Sequence, residues 1–212
     1  MVSAGSWLSA IKYRSNKLRF MKRIAVYCGS NLGARPDYSL AAKNLAEVLV
    51  REQIELVFGG TDTGTMGVLA HETLRLGGRA IGVVPQSETL FQRAQSNLSE
   101  LHIVASMHER KATMAQLCDG FIALPGGLGT LDEFFEAATW SQLRLHQKPC
   151  GLLNVAGFYD DLLRFLDGAV REGMLRPEYR AMILSSDDAG DLIEQMRRFE
   201  FPACGKFERM ND

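Results

Sequence analysis

The sequence lacks most of the features that announce a protein class outright. No apolar run approaches the roughly 18–20 residues needed to cross a bilayer, so no membrane partner is expected. The four cysteines, Cys28, Cys118, Cys150 and Cys204, show no CxxC spacing. Three of them lie in or beside apolar runs. That suits small buried hydrophobes in a reduced, cytoplasmic setting better than a disulfide framework. The four histidines (His71, His102, His108, His146) have no HExxH or other ligand spacing, so no metal is expected. Neither charge sign dominates: 24 Lys and Arg against 25 Asp and Glu give a formal net charge of -1. That balance excludes the basic field of a nucleic-acid-binding domain. Acid is also missing from the beginning of the chain. Before Asp37 come Lys12, Arg14, Lys17, Arg19, Lys22, Arg23 and Arg35. Such leaders occur as transit or membrane-surface segments. Without a long apolar stretch, residues 1–20 read as a flexible or loosely docked basic extension, and residues 21–212 as a single domain.

What is present is a regular alternation. The 212 residues are 46% hydrophobic and 23% charged, in the range of a globular domain. Short apolar runs end in glycine or proline: RIAVYC (23–28), IELVF (54–58), AIGVV (80–84), LHIVA (101–105), GFIALP (120–125) and PCGLLN (149–154). Between them lie stretches with helical periodicity: 36–53, a helix through VLAHETLRL that stops at Gly77–Gly78, 106–119, and about 131–145. Two more helical stretches follow, GFYDDLLRFLDGAVREGM and SDDAGDLIEQMRRF. Ser106 with Glu109 three residues on is a capping box. Strand and helix in alternation predict a Rossmann-like, doubly wound parallel sheet with helices on both faces. Residues 86–99 are polar and fit no element.

Ligands of such sheets sit beyond the carboxyl ends of the strands, and three glycine-rich loops fall there. They are GSNLG after the first strand, GGTDTGTMG after the second, and PGGLGT after the fifth. A loop of small residues opening into a helix offers free N–H groups and the positive end of the helix dipole to an anion. Gly126, Gly127 and Gly129 allow close approach, and Thr130 can donate a hydroxyl and cap the helix. The standard nucleotide motifs fail. Asp132 stands where GxGxxG needs its last glycine, and Thr65 and Met66 replace the Lys and Ser/Thr of a P-loop. Asp132 and Glu133 read as acids of a first helical turn, with Glu136 on the same face as Glu133. Arg110 and Lys111 begin the preceding helix. Positive charge there opposes the dipole and asks for an anion, either Glu133 or a ligand phosphate.

SMHERKATM followed by LPGGLGTLDE resembles the paired signature MHxRKxxM and PGGxGTxxE of the LOG ("Lonely guy") family. IAVYCGS and the stretch from TWSQLRLHQKPCGLLN to GAVREGM resemble it too, so the likeness runs from about Met21 to Phe199. The resemblance implies hydrolysis of the N-glycosidic bond of a nucleoside 5′-monophosphate, AMP or a cytokinin riboside 5′-monophosphate, giving free base and ribose 5-phosphate. It implies a homodimer and no cofactor. Arg110 and Glu133 match the catalytic pair. Ser30, Gly59, Gly60, Lys111, Gly126, Gly127, Gly129 and Thr130 match positions expected to hold the phosphate and ribose. One stretch departs: the family reads close to GGGxxGLMG after the second strand, and Thr61 and Thr65 stand here for a glycine and the leucine. Two other readings remain at this point. One is a non-catalytic carrier of a nucleotide or phosphorylated cofactor on the same fold. The other is a lysine decarboxylase, which would need pyridoxal phosphate and a Schiff-base lysine, with Lys111 alone near the motifs.

Overall fold

The computed structural model describes residues 18–86, 95 and 97–202. Its framework is one sheet of seven parallel strands: β1 (Arg23–Tyr27), β2 (Glu55–Phe58), β3 (Ala80–Pro85), β4 (Glu100–Val104), β5 (Gly120–Ala123), β6 (Cys150–Leu153) and β7 (Ile183–Ser186). Their spatial order is β4-β3-β2-β1-β5-β6-β7. The uninterrupted apolar runs of the inner strands follow from burial on both faces. Alternate residues of β1 serve opposite cores. Ile24 and Val26 join Leu56, Phe58, Leu45 and Leu192 on one face. Ala25 and Tyr27 join Val57, Ile81, Phe121 and Phe134 on the other.

The first face is covered by α1 (Pro36–Arg51), α2 (Gly64–Arg75) and α7 (Ala189–Arg198). In α1 the buried residues Ala42, Leu45, Ala46 and Leu49 recur at helical spacing. The second face is covered by α3 (Met107–Leu117) and α4 (Leu128–Gln142), with α5 (Asp160–Arg171) and the short α6 (Pro177–Arg180) beside them. The chain winds outward from β1 to β4, then crosses back through α3 to place β5 on the other side of β1. The register Val26↔Ile122 and Tyr27↔Ala123 aligns those two strand ends. The order reverses between them, and the crevice beyond their carboxyl ends is the topological switch point.

The expected doubly wound sheet is present, with three differences of detail. Strand β7 and helix α6 have no counterpart in the six expected strands. β7 is half-buried along its whole length and ends in two serines, so it has no apolar signature. Both α2 and α4 start three or four residues early, inside the glycine loops. Glycine disfavours a helix by about 1 kcal/mol, and here tertiary placement overrides that preference. Pro85 ends β3 from within, paired with Val104. Of the basic leader, Arg19 is tied down. Its backbone N–H donates to Arg197 O at 2.9 Å, its Nε to Phe199 O at 3.1 Å and its Nη1 to Gln147 O at 2.7 Å. Residues 1–17 and Cys204 lie outside the described residues. Among the described residues, no helix is long and apolar enough to cross a membrane.

Candidate active site

The start of α3 is fixed by reciprocal caps. Ser106 Oγ accepts from the Glu109 N–H at 3.1 Å, and the Glu109 carboxylate accepts from the Ala105 N–H at 2.7 Å. This sets Arg110 on the next turn, turned inward beneath the crevice. Its side chain is only 10% exposed. Arg110 Nε donates to the Val83 carbonyl at 3.0 Å, at the end of β3. Its Nη1 donates to Glu133 Oε1 on α4. Glu133 is itself 12% exposed, so the two charges form a largely desolvated pair. Burial raises the Glu133 pKa above the ordinary carboxylate range, and the attraction and hydrogen bond of Arg110 only partly offset that rise.

The pair opens onto a cleft of about 470 Å³, a volume in the range of small-molecule sites. Its walls are residues 28–33 after β1, residues 125–130 after β5, and Thr65 and Met66 of α2. Tyr38, Met66, Met107, Leu128 and Phe158 give one side an apolar character. Among the described lining residues, only Arg110 and Glu133 carry a formal charge. Thr65 Oγ1 donates to the Gly29 carbonyl at 3.1 Å and ties α2 to the loop after β1. Tyr159 Oη donates to the Leu124 carbonyl at 2.6 Å and steadies the chain just before the loop after β5.

Helix α4 begins at this cleft, and no side chain caps it. Its first-turn N–H groups have no acceptor within the helix, and the dipole makes them attractive to an anion. The glycines there differ in kind. A Cβ on Gly126 would lie 2.1 Å from Thr130 Oγ1, so Gly126 makes room for Thr130. A Cβ on Gly127 or Gly129 would meet nothing within 4 Å, and neither residue has a positive φ. Nothing in the described chain requires glycine at those two positions, and Gly129 sits inside a helix, where glycine is costly. Space left open at a helix start suits the close approach of a ligand to the backbone.

Arg110, Glu133, Ser30, Gly126, Gly127, Gly129 and Thr130 all meet at this cleft. Three further residues singled out in the sequence do not line it. Gly59 lies against the Arg110 guanidinium, and Gly60, at φ 76°, packs on Val84. Lys111 turns away to Asp132 at 3.1 Å and Glu136 at 3.0 Å. Adjacent residues on a helix point about 100° apart, so Arg110 and Lys111 cannot share one target. Burial would lower the Lys111 pKa, yet its hydrogen bonds to Glu136 and Asp132 prevail and the net shift is upward. The N-cap of α4 is Gly127 rather than Thr130, and Glu133 stands in the second turn rather than the first. The loop after β2 reaches the cleft through Thr65 and Met66. Thr61 is buried behind it, against Thr63 and Met66. Tyr38, Met66, Met107 and Phe158 escaped the sequence reading because single apolar residues look like core. Residues 86–99, which fit no element in the sequence, fall largely outside the described residues.

In this α/β protein an uncapped helix start and a buried arginine–carboxylate pair meet at the switch-point crevice, an arrangement chemically suited to an anionic small molecule. Residues 66–196 match the family model described as "Possible lysine decarboxylase". The chain is 45% identical over 184 residues to a cytokinin riboside 5′-monophosphate phosphoribohydrolase of Arabidopsis thaliana, covering 87% of this chain and 84% of that protein. It is 45% identical over 178 residues to the rice (Oryza sativa subsp. japonica) enzyme of the same name, covering 84% and 74%. The chain belongs to the LOG family of cytokinin riboside 5′-monophosphate phosphoribohydrolases. Solved structures of similar fold include the molybdenum cofactor binding protein of Rippkaea orientalis (24% identity, TM-score 0.61, covering 82% of this chain and 94% of that one). The molybdenum cofactor carrier protein of Chlamydomonas reinhardtii is another (17%, 0.62, 82% and 95%). At these identities the likeness concerns the fold alone.

Proposed function

We propose that this chain hydrolyses the N-glycosidic bond of nucleoside 5′-monophosphates, AMP and cytokinin riboside 5′-monophosphates, to free base and ribose 5-phosphate. The observation that supports it most directly is the buried Arg110–Glu133 pair, set at one cleft with the uncapped, glycine-lined start of α4. The 5′-phosphate sits on the first-turn N–H groups of α4, with Thr130 beside them. That remote binding energy holds C1′ near Glu133. As the C1′–N9 bond breaks, its electron pair leaves with the base and the sugar becomes oxocarbenium-like. The Glu133 carboxylate stabilises that cation and takes a proton from the water that adds to C1′. The departing base takes a proton from solvent. Arg110 is always charged, so it is no general acid. It keeps Glu133 oriented, and its charge and hydrogen bond work against the burial that favours the protonated acid.

The experiment is base release from AMP and from isopentenyladenosine 5′-monophosphate, with adenosine as the control lacking phosphate. Release from the monophosphates but not from adenosine is expected. Binding of both monophosphates without release would instead make the chain a carrier. Glu133→Gln should lower kcat by about 10²–10⁴-fold while the protein stays folded. Arg110→Ala should be equally inactive; a variant with raised KM and intact kcat would confine Arg110 to binding.

The Glu133 shift has two opposite consequences. Activity needs the carboxylate, so the acid limb of kcat/KM should lie above the ordinary glutamate value of about 4.3. Stability runs the other way. The raised folded pKa favours the fold fully below the unfolded value, and that contribution is lost as pH rises through the folded pKa. The site is therefore active where Glu133 is least comfortable. A decarboxylase reading has no support at Lys111, whose raised pKa is the reverse of what a Schiff-base amine needs.

A further inference from the structure

We propose that Gly59 is a positioning residue: its missing side chain is the seat of the Arg110 guanidinium. The inference deepens the phosphoribohydrolase reading and rests on it for the kinetic part of its test.

Gly59 follows the last residue of β2, and its φ is not in the left-handed region that favours glycine. Its neighbour Gly60, at φ 76°, is the residue that turns the chain. Conformation therefore does not explain glycine at 59; space does. A Cβ there would lie 2.1 Å from Arg110 Nη2 and 3.4 Å from Arg110 Cζ. The remaining near atom is the thioether sulfur of Met66 at 3.1 Å, the end of a flexible side chain. No backbone atom is among these three neighbours, so a methyl group at 59 would press on the arginine rather than on the sheet.

An arginine usually yields to such pressure, because its side chain has many rotamers. Here the yielding has a consequence. Arg110 Nε is held by the Val83 carbonyl at 3.0 Å, and Nη1 by Glu133. The guanidinium is a flat plate fixed on one side by β3, on another by α4, and backed by the Cα of Gly59 from β2. Displacing it by an ångström or more breaks at least one of the two contacts. The contact with Glu133 is the one that opposes the burial-driven rise in that carboxylate's pKa. Gly59 is not among the residues lining the cleft, so it acts through Arg110 and not on substrate.

The test is Gly59→Ala in the full chain, compared with the parent on isopentenyladenosine 5′-monophosphate. Thermal melting and a carbon-13 carboxyl titration of Glu133 accompany the kinetics. Glu133→Gln identifies the carboxyl signal. The expected result is a fall in kcat on the order of 100-fold, much larger than any rise in KM, with the melting temperature nearly unchanged. The acid limb of kcat/KM and the Glu133 titration should both move to higher pH. Unchanged kcat with an unmoved titration overturns the proposal. A variant whose KM rises while the titration stays put overturns it too, since Gly59 would then touch substrate. Loss of folding in Gly59→Ala also overturns it, because the residue would then be serving the sheet. If the parent releases no base from any monophosphate, the phosphoribohydrolase reading fails. The Glu133 titration still decides the case of Gly59 alone.

Discussion

The loop after β2 and the loop after β5 look alike in the sequence, and the structure treats them in opposite ways. In GGTDTGTMG every glycine is accounted for by the protein itself. A Cβ would strike Arg110 at Gly59, Val84 at Gly60, the backbone of residues 29–31 at Gly64, and Asp62 at Gly67. In PGGLGT only Gly126 is accounted for in this way; Gly127 and Gly129 face open space. The first loop is glycine-rich because other parts of the molecule come close. The second keeps open space over Gly127 and Gly129, the space in which the proposed 5′-phosphate would approach the backbone. Glycine content alone marks a place where backbone is approached, and it does not say by what.

The largest effect that separates the two loops belongs to Gly64. Its φ is 57°, and a Cβ there would lie 2.3 Å from Asn31 N and 2.3 Å from the Ser30 carbonyl carbon. Gly64→Ala combines left-handed strain with a backbone clash. It should cost at least about 2 kcal/mol, or roughly 5 °C in Tm for a chain of this size. Because residues 29–31 line the cleft, activity should fall with it. A melt that matches the parent would show that the loop after β1 moves freely from α2, and the contrast between the two loops would collapse.

Gly129→Ala should do nearly the reverse. Alanine is the better helix former, so stability should hold or rise by up to about 0.5–1 kcal/mol. The added methyl occupies space at the start of α4, where the proposed mechanism puts the 5′-phosphate. Affinity for a nucleoside monophosphate should drop about tenfold, worth 1.4 kcal/mol by the usual relation. Isothermal titration of the variant with AMP reads this directly. Stability gained with affinity kept would leave the glycine unexplained by any ligand.

Sequence pattern and structure agree where side chains carry the signal. β1, β2, β3, β5 and β6 are buried on both faces, so their apolar runs are unbroken. Arg110 and Glu133 were legible because charged side chains in a paired signature stand out, and the structure brings them together. The starts of α2 and α4 were not legible, since local propensity argues against helices that open on glycine. Lys111 neighbours Arg110 in sequence yet faces Asp132 and Glu136 in space, a divergence that adjacency in the chain does not reveal. Two parts of the site leave no side-chain mark at all. The Val83 carbonyl that holds Arg110 is backbone, and the room at Gly59 is an absence.

The smallest effect concerns Thr61, where the loop after β2 departs from the family pattern. The sequence alone raises the concern that its side chain blocks an approach to the ligand. In the structure Thr61 is 7% exposed, and its Oγ1 lies 3.3 Å from Thr63 Oγ1 and 3.8 Å from Met66 Sδ. It does not line the cleft; Met66, in front of it, does. The threonine belongs to the self-packed loop and lies against Met66 from behind. Thr61→Gly should therefore cost stability, by about 0.5–1 kcal/mol of backbone entropy, and change kcat/KM by less than about twofold. A large change in preference between AMP and isopentenyladenosine 5′-monophosphate would mean that Met66 transmits the substitution to the apolar side of the cleft. The loop after β2 would then share in substrate choice, and the division between the two loops would hold for phosphate but not for base.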